Sequence, residues 1–543
     1  MSEARARARE LAAALEASPR DAHLRFALAQ ALKSQGDVNA AVRTLAAGVQ
    51  IAPADVERWL ALGALLMEIE LASPNVREDA PTTPLQRAME TIERAVALAP
   101  RAPAVLAQAA MTFRYACAWD RVESCEAALR DVAQDDTRPF AVAPMIATAV
   151  IADAPTQARA IRDFVAQTMP RTQPLATPAY VRQPGTALRV GYLSADFHEH
   201  ATAHLIAGLF EAHDRERFTT FAYALDRDDG SAMRGRLRRA FGDWRDVRDA
   251  SDERASAVIR GDALDVLVDL KGHTSGSRMA ILARRPARVQ IHYLGFPGTL
   301  AHPGIDAQVA DAIVVPPQDD RHYRERVIRL PACYQVNDRA RPLPASARRS
   351  DVGLPERGLV LVCFNQTYKL AHAFFDVWLD VLVRHPDAVL WLNVPHALAR
   401  RNLRAFAQAR GVAPERIVFA PIVSQVEHLA RLRCADLALD VLPYGSHTTG
   451  SDALWCGVPM LTLTGSTFAG RVGTSLVRAS NLPMLATESM HAYRDGLHAL
   501  ANERERLVHL KAQLERERYD LPLFDTPRFT RDFEAMLEAV AAS

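Results

Sequence analysis

The sequence predicts an α-superhelix of 34-residue helical repeats followed by two Rossmann-like, parallel-sheet lobes. Three observations carry that expectation. Prolines mark a helical period near the N-terminus, and from Leu188 the pattern changes to short β-branched runs alternating with helical stretches. That alternation restarts after a Pro- and Arg-rich stretch near residue 340. The chain of 543 residues has room for roughly three or four domains. Hydrophobic residues at 49% and charged residues at 24% supply a core for each and exclude gross disorder.

The repeats come first along the chain. Pro19 and Pro53 lie 34 residues apart, and the unit between them fits the tetratricopeptide pattern at Leu28, Ala31, the Gly36-Asp37 turn, Ala41, Leu45 and Val49. The next unit repeats it with Trp59, Leu62, Gly63, Ala88, Ile92, Ala95 and Val96, lengthened by a 13-residue insertion, ASPNVREDAPTTP. A degenerate third unit carries Leu106, Ala109, Ala110 and Phe113. Such arrays bury between neighbours the faces that no single unit can bury, and they bind polypeptide segments on a concave groove. A protein or peptide partner is therefore expected there.

Next come LRVGYLS, FTTFAYAL, DVLVDL and VQIHYLG, separated by helical stretches such as HLIAGLFEAH. After the stretch NDRARPLPASARRSDVGLPERG, which reads as a linker, follow GLVLVCFN, AVLWLNV, RIVFAPI, DLALDV and PMLTL. Two doubly wound domains bind ligands at the carboxyl ends of their strands. The expected division is 1–175 for the helical repeats and connecting helices, 176–345 for the first lobe and 346–543 for the second lobe. PRFTRDFEAMLEAVAA closes the chain as an amphipathic helix.

Charge and cysteine usage narrow the function. Lys+Arg at 65 against Asp+Glu at 64 leave +1, with no global field toward nucleic acid or a membrane surface. Six cysteines form no CxxC pair, which argues against a structural zinc site or a disulfide framework and for a reducing compartment. The start is charged and helical without an apolar signal core, and no apolar run approaches the ~18–20 residues of a spanning helix. A soluble, cytoplasmic protein is expected.

Four segments carry chemistry. In DLALDVLPYGSHTTGSDALWCGVPML a strand runs through a turn into a helix opening at His447-Thr448-Thr449-Gly450. Hydroxyls and free N–H groups there suit an anion, Asp452 one turn on suits ribose hydroxyls, and an ordinary N-cap is the competing reading. In GLVLVCFNQTYK, Lys369 follows a strand end; it is either a solvated charge or the neutraliser of a leaving phosphate. In LSADFHEHATAHL, Asp196, His198, His200 and His204 crowd behind the first strand. His200 and His204 share a helix face at i, i+4, so metal binding, structural histidines and acid/base work all stay open, although no HExxH motif is complete. LGFPGT lacks the Lys-Ser/Thr of a P-loop but can bring backbone N–H groups to a sugar or phosphate. Asp226-Arg227-Asp228 spells a DxD pattern inside a polar turn and reads as solvated.

In order along the chain, SADFHEHATAH, LGFPGT, FNQTYK, VEHLARLRCADLALD and GSHTTGSDALWCGVPM make the sequence resemble the O-linked N-acetylglucosamine transferase family, bacterial members above all. The resemblance covers nearly the whole chain. It implies a GT-B pair of lobes after the repeats, the second of them the nucleotide-binding one, and inverting transfer of GlcNAc from UDP-GlcNAc to Ser or Thr hydroxyls of proteins, with neither cofactor nor metal. Carried onto this sequence, it makes Lys369 the stabiliser of the departing diphosphate, with Gln366 and Tyr368 beside it. Thr448 and Thr449 become the phosphate pair, His447 a neighbour of sugar and phosphate, and Asp452 the ribose ligand. His428 and Arg431 contact uracil, with Val423 and Gln425 in the same nucleotide site and Tyr444 in the sugar pocket. Asp196, His200 and Thr202 lie near the reacting centre, and Leu294, Gly295 and Pro297 form the sugar-side loop.

The chain departs from the animal members at several points. Gln425 stands in place of a nucleoside-contacting Lys, Tyr444 of a Cys, Glu199 of an Asn, and Met145 of a His proposed as base. The large domain between the lobes is missing. The proton acceptor stays open among His200, Asp196 through water and the donor's own phosphate. A GDP-fucose-dependent protein O-fucosyltransferase is the rival within the enzyme class. A repeat scaffold with decayed lobes is the rival outside it.

Overall fold

The structure, a computed structural model, describes residues 2–72, 82–169, 174 and 185–542. Most of the insertion after Ala72, and the expected boundary at 175/176, lie outside the described residues. Helices come first: α1 (Ser2–Ala17), α2 (Ala22–Ser34), α3 (Val38–Ile51), α4 (Val56–Ala72), α5 (Pro84–Leu98), α6 (Pro103–Tyr115), α7 (Trp119–Ala133), α8 (Pro144–Val150) and α9 (Ala154–Thr168). The repeat signature explains their pairing. Asp21 and Asp37 cap α2 and α3, while Ala41, Leu45, Ala88 and Ala95 are buried where helices meet closely.

The first sheet domain runs β1 (Leu188–Ser194), α10 (Ala201–Ala212), β2 (Phe218–Ala224), α11 (Ala232–Ala240), β3 (Asp243–Asp246), α12 (Asp252–Gly261), β4 (Val266–Asp269), α13 (Met279–Ala283), β5 (Val289–His292), β6 (Ala307–Asp311) and β7 (Arg326–Leu330). Its strands lie parallel in the order β3-β2-β1-β4-β5-β6-β7, with Leu193 of β1 level with Asp269 of β4. Tyr192, Val266, Val268, Ile291 and Val309 are fully buried at its centre.

The second runs β8 (Val360–Cys363), α14 (His372–Arg384), β9 (Val389–Leu392), α15 (Ala397–Ala409), β10 (Ile417–Phe419), α16 (Gln425–Leu432), β11 (Leu437–Leu439), α17 (Thr448–Trp455), β12 (Met460–Leu463), α18 (Phe468–Ala479), β13 (Ala486–Thr487), α19 (Met490–Asn502), α20 (Arg504–Glu517) and α21 (Thr526–Ala542). Its strand order is β10-β9-β8-β11-β12-β13. Both orders reverse direction beside the first strand of the domain, the place where ligands bind in doubly wound sheets. Among the described residues, no helix is long and apolar enough to cross a membrane.

The chain divides into two compact units. One joins Met1–Val142 to Gln366–Val383 and Trp391–Ile422, so the repeats share a core with α14 and α15. The other holds Ala143–Asn365, Arg384–Leu390 and Val423–Ser543. Within the second unit, the closing helix α21 packs on α10, β4 and β7 of the first sheet domain. Its Glu534 accepts from the buried His213 ring at 3.0 Å and from the Asp214 amide at 2.8 Å.

Candidate active site

The turn from β11 into α17 is held from beneath. Asp440, fully buried, accepts the Ser446 amide and the Thr462 hydroxyl (2.6 and 2.7 Å), and burial pushes its carboxyl up. α17 then opens without a side-chain cap, because His447 makes none. Thr448 and Thr449 stand inside its first turn rather than at the N-cap, so capping does not account for them. The Thr449 hydroxyl donates to Asn365 Oδ1 at 2.8 Å, and Asn365 Nδ2 donates to Ser446 Oγ at 2.8 Å. Asn365, at the end of the strand before Lys369, thus ties two loops of the second sheet together. The first turn of α17 presents amides and hydroxyls with the helix dipole behind them, an arrangement suited to a phosphate. The Tyr444 and His447 rings lie 5.0 Å apart beside it.

Asp452 is 3% exposed and held by Arg341, whose Nη1 donates to Oδ1 at 2.8 Å. Arg341 also donates to Asn337 Oδ1 (3.2 Å) and lies over the rings of Trp455 and Phe524. Asp452 Oδ2 is 3.7 Å from His428 Nε2. Arg431 donates to His428 Nδ1 at 3.3 Å, which leaves the neutral ring's proton on Nε2, facing Asp452. Burial lowers His428 below its ordinary value and brings Arg431 down to about 10; Arg431 lies over the Phe364 ring and His428 packs tilted against it. Gln425 opens α16 behind a Ser424–Glu427 capping box, and Val423 immediately precedes it; both are half-buried.

Gln366, Tyr368 and Lys369 belong to the other unit, in a single helical turn against the repeats. Lys369 is buried (8% exposed) rather than solvated. Arg114 at the end of α6, itself paired with Glu126, donates to the Tyr368 carbonyl at 3.4 Å, and the Tyr115 ring packs on Tyr368. Tyr115 meets His396 edge-on, and His396 bonds the buried Glu70 of α4 at 3.0 Å.

In the first sheet domain, Asp196 is buried and ion-paired to Lys271, Nζ to Oδ1 at 2.7 Å. Its Oδ2 accepts the Thr202 hydroxyl at 3.3 Å and lies 3.6 Å from His200 Nδ1. His200 is not on the helix. It is the N-cap of α10, and its Nδ1 accepts the Thr202 amide. The expected shared face with His204 is therefore corrected, and His204 bonds Glu199 instead. Burial holds His200 below its ordinary value, with Asp196 opposing and Lys271 reinforcing. Asp226 also departs from expectation. It turns inward to Arg234 (2.7 Å) and His198 (3.1 Å), while Asp228 stays exposed. Among the described residues, no group of three or more His, Cys, Asp or Glu is placed to hold a metal ion.

The loop carrying Leu294, Gly295 and Pro297 is shaped by a buried pair. His292 Nε2 lies 3.1 Å from both the amide and the carbonyl of Phe296, and Nδ1 bonds Asp269 Oδ2 at 2.9 Å. Burial opposes the charge on Asp269, but the His292 bond and the Gly272 and Lys271 amides outweigh it and hold its carboxyl below the usual range. A side chain at Gly295 would sit 2.1 Å from the Leu270 carbonyl, so only glycine fits.

Sequence reasoning missed Lys271, Arg341 and Asn365. Arg341 lay in a stretch whose prolines and arginines read as a linker, yet Asn337, Asp338 and Arg341 are all buried there.

Comparison with known proteins gives concordant results. The family description "Glycosyl transferase family 41" matches residues 165–350 and 343–533, and a tetratricopeptide-repeat description matches 3–66. A probable UDP-N-acetylglucosamine–peptide N-acetylglucosaminyltransferase of Arabidopsis thaliana is 36% identical over 67% of this chain and 38% of its own length. A UDP-N-acetylglucosamine–peptide N-acetylglucosaminyltransferase of Caenorhabditis elegans is 25% identical over 65% of this chain and 41% of its own. The chain thus spans about two fifths of the length of these curated relatives. Among solved structures, a mutant O-GlcNAc transferase of Thermobaculum terrenum matches with a TM-score of 0.73 and 27% identity, covering 96% of this chain and 97% of the other. Repeats, two parallel-sheet domains and these matches lead to one conclusion: the chain belongs to glycosyl transferase family 41.

Proposed function

We propose that the chain transfers GlcNAc from UDP-GlcNAc to Ser or Thr hydroxyls of protein acceptors, with inversion and without a metal. The observation that carries this reading is the mouth of α17, where two threonines stand in an uncapped first turn and the buried carboxylate of Asp452 follows one turn on. The similarity to an O-GlcNAc transferase over nearly the full length of both chains supports the choice of donor.

In this reading the diphosphate lies at Thr448, Thr449 and His447, the ribose at Asp452, and the uracil by His428, Arg431, Val423 and Gln425. Tyr444 and the Leu294-Gly295-Pro297 loop bound the sugar. The acceptor hydroxyl attacks the anomeric carbon from the face opposite the diphosphate. A new C–O bond forms as the bond to phosphate oxygen breaks, and UDP leaves with its charge met by Lys369 and by the amides of α17. Gln366 and Tyr368 hold the segment that carries Lys369. The neutral His200 ring bears its proton on Nε2, because Nδ1 accepts the Thr202 amide; it acts as a hydrogen-bond donor. The hydroxyl proton therefore passes to the donor's phosphate, or through water to Asp196. The repeat groove holds the acceptor polypeptide.

Loss of one charge-stabilising donor typically costs ~10²–10³ in rate. Lys369→Ala is expected to lose transfer on that scale or beyond while still binding UDP, measured by sugar transfer to a Ser/Thr peptide and by calorimetry. Turnover near that of the parent chain would remove Lys369 from the mechanism, and binding of GDP in preference to UDP would overturn the donor.

A further inference from the structure

Of 65 basic residues only four are lysines: Lys33, Lys271, Lys369 and Lys511. An ammonium is a compact point charge on a slim stem, whereas a guanidinium is a broad planar fork, so the two do not substitute for each other in a confined site. Lys33 pairs with Glu68 at the surface, Lys511 holds the Ala435 carbonyl, and Lys369 has its place in the proposed reaction. Lys271 has none.

Lys271 is 4% exposed and stands just past the end of β4, which lies beside β1, so it bridges directly to the Asp196 loop. Its backbone is fixed, because Asp269 accepts the Lys271 amide at 3.2 Å and the Gly272 amide at 2.7 Å. Asp269 is in turn locked to His292, the residue that shapes the 294–299 loop. Across the ion pair, Asp196 takes the Thr202 hydroxyl and borders His200, whose ring accepts the Thr202 amide. A carboxylate so buried requires a charge partner to stay in place.

We propose that Lys271 is a positioning residue for the acceptor side of the site: its ammonium fixes Asp196, and through Asp196 the Thr202 hydroxyl and the His200 ring at the start of α10. The proposal rests on the reading above that Asp196, Thr202 and His200 flank the reacting centre.

Lys271→Met is expected to lower kcat by ~10²-fold, the scale of a ~1 Å misplacement of reacting groups. UDP affinity, which rests on Thr448, Thr449 and Asp452, is expected to stay within about twofold, as for independent sites. Lys271→Arg is expected to resemble Lys271→Met more than the parent chain. A second readout needs no turnover. His200 faces Asp196, Lys271, His198 and His204, with Glu199 nearby and Asp226 and Arg234 behind His198. Removing the Lys271 charge leaves Asp196 unopposed, so the ring's titration, followed by NMR, should move upward.

Unchanged kcat, full rescue by Lys271→Arg, an unmoved His200 titration, or parallel loss of kcat and UDP affinity would each overturn the proposal. If Lys271→Met does not fold, Lys271→Met/Asp196→Asn removes both charges together; it should bind UDP and transfer poorly, and full transfer would overturn the proposal. A parent chain that neither binds UDP nor transfers GlcNAc refutes the functional reading instead, and the His200 titration still decides the role of Lys271.

Discussion

Arg341 shows how much a single buried side chain can organise. Its guanidinium joins Asp452, Asn337 and the Ser451 carbonyl while two aromatic rings cover its faces. Removing one member of a buried ion pair typically costs ~3–5 kcal/mol, because the other charge stays behind unpaired. Arg341→Met is therefore expected to lower the melting temperature and, by releasing Asp452, to weaken UDP binding. Arg341→Lys should recover little, since an ammonium cannot make the forked contacts. Thermal denaturation and UDP titration on the same preparations check this; wild-type UDP affinity in Arg341→Met would show that Asp452 needs no such support. Neither Arg341 nor Lys271 was legible from the sequence, for one physical reason. A charge becomes organising only when the fold buries it, and its partner stands 111 residues away in one case and 75 in the other. The Thr448-Thr449 pair was legible because strand, turn and helix are contiguous there.

Among elements, the second sheet depends on how closely α18 approaches β11 and β12. A Cβ at Gly473 would fall 2.0 Å from Asp440 Oδ2 and 2.6 Å from Thr462 Oγ1. Overpacking of a filled core typically costs ~1–3 kcal/mol. Gly473→Ala is expected to destabilise by at least that much and, because Asp440 holds the Ser446 amide, to loosen the mouth of α17. Calorimetric unfolding and UDP affinity should fall together, and a stable variant with weakened binding alone would contradict this account. Most strands the sequence announced are central, buried on both faces and hence continuous apolar runs such as LRVGYLS, DVLVDL and GLVLVCFN; the exception is β10, within RIVFAPI, at an edge of the second sheet. Those it hid include β3, DWRD, and β7, RVIRL, at the two edges of the first sheet, where half-exposed polar side chains erase the signal, and the interior β6, AQVAD, whose polar Gln308 and Asp311 are buried. α10 begins one residue after His200, so a histidine spacing counted as helical straddles a cap.

At the scale of the whole chain, the repeats belong to the same compact unit as the segment bearing Lys369. α6 reaches that segment through the contacts of Arg114 and Tyr115 with Tyr368, and α4 reaches the start of α15 through Glu70 and His396. Deleting α1–α3 is expected to leave UDP binding and peptide-free sugar hydrolysis intact. Deleting α1–α6 should strip those contacts and yield insoluble or UDP-blind protein. Solubility and UDP titration of the two truncations check it, and equal behaviour would mean that the repeats are a detachable module.

The closing helix imposes an order on biosynthesis. β7 ends at Leu330, but the helix that covers α10, β4 and β7 begins only at Thr526. At about 5–20 residues per second a ribosome takes roughly 10–40 s to cover that interval. For that time the nascent first sheet waits with the seats of Phe533 and Leu537, both fully enclosed in the finished molecule, open to water and to chaperones.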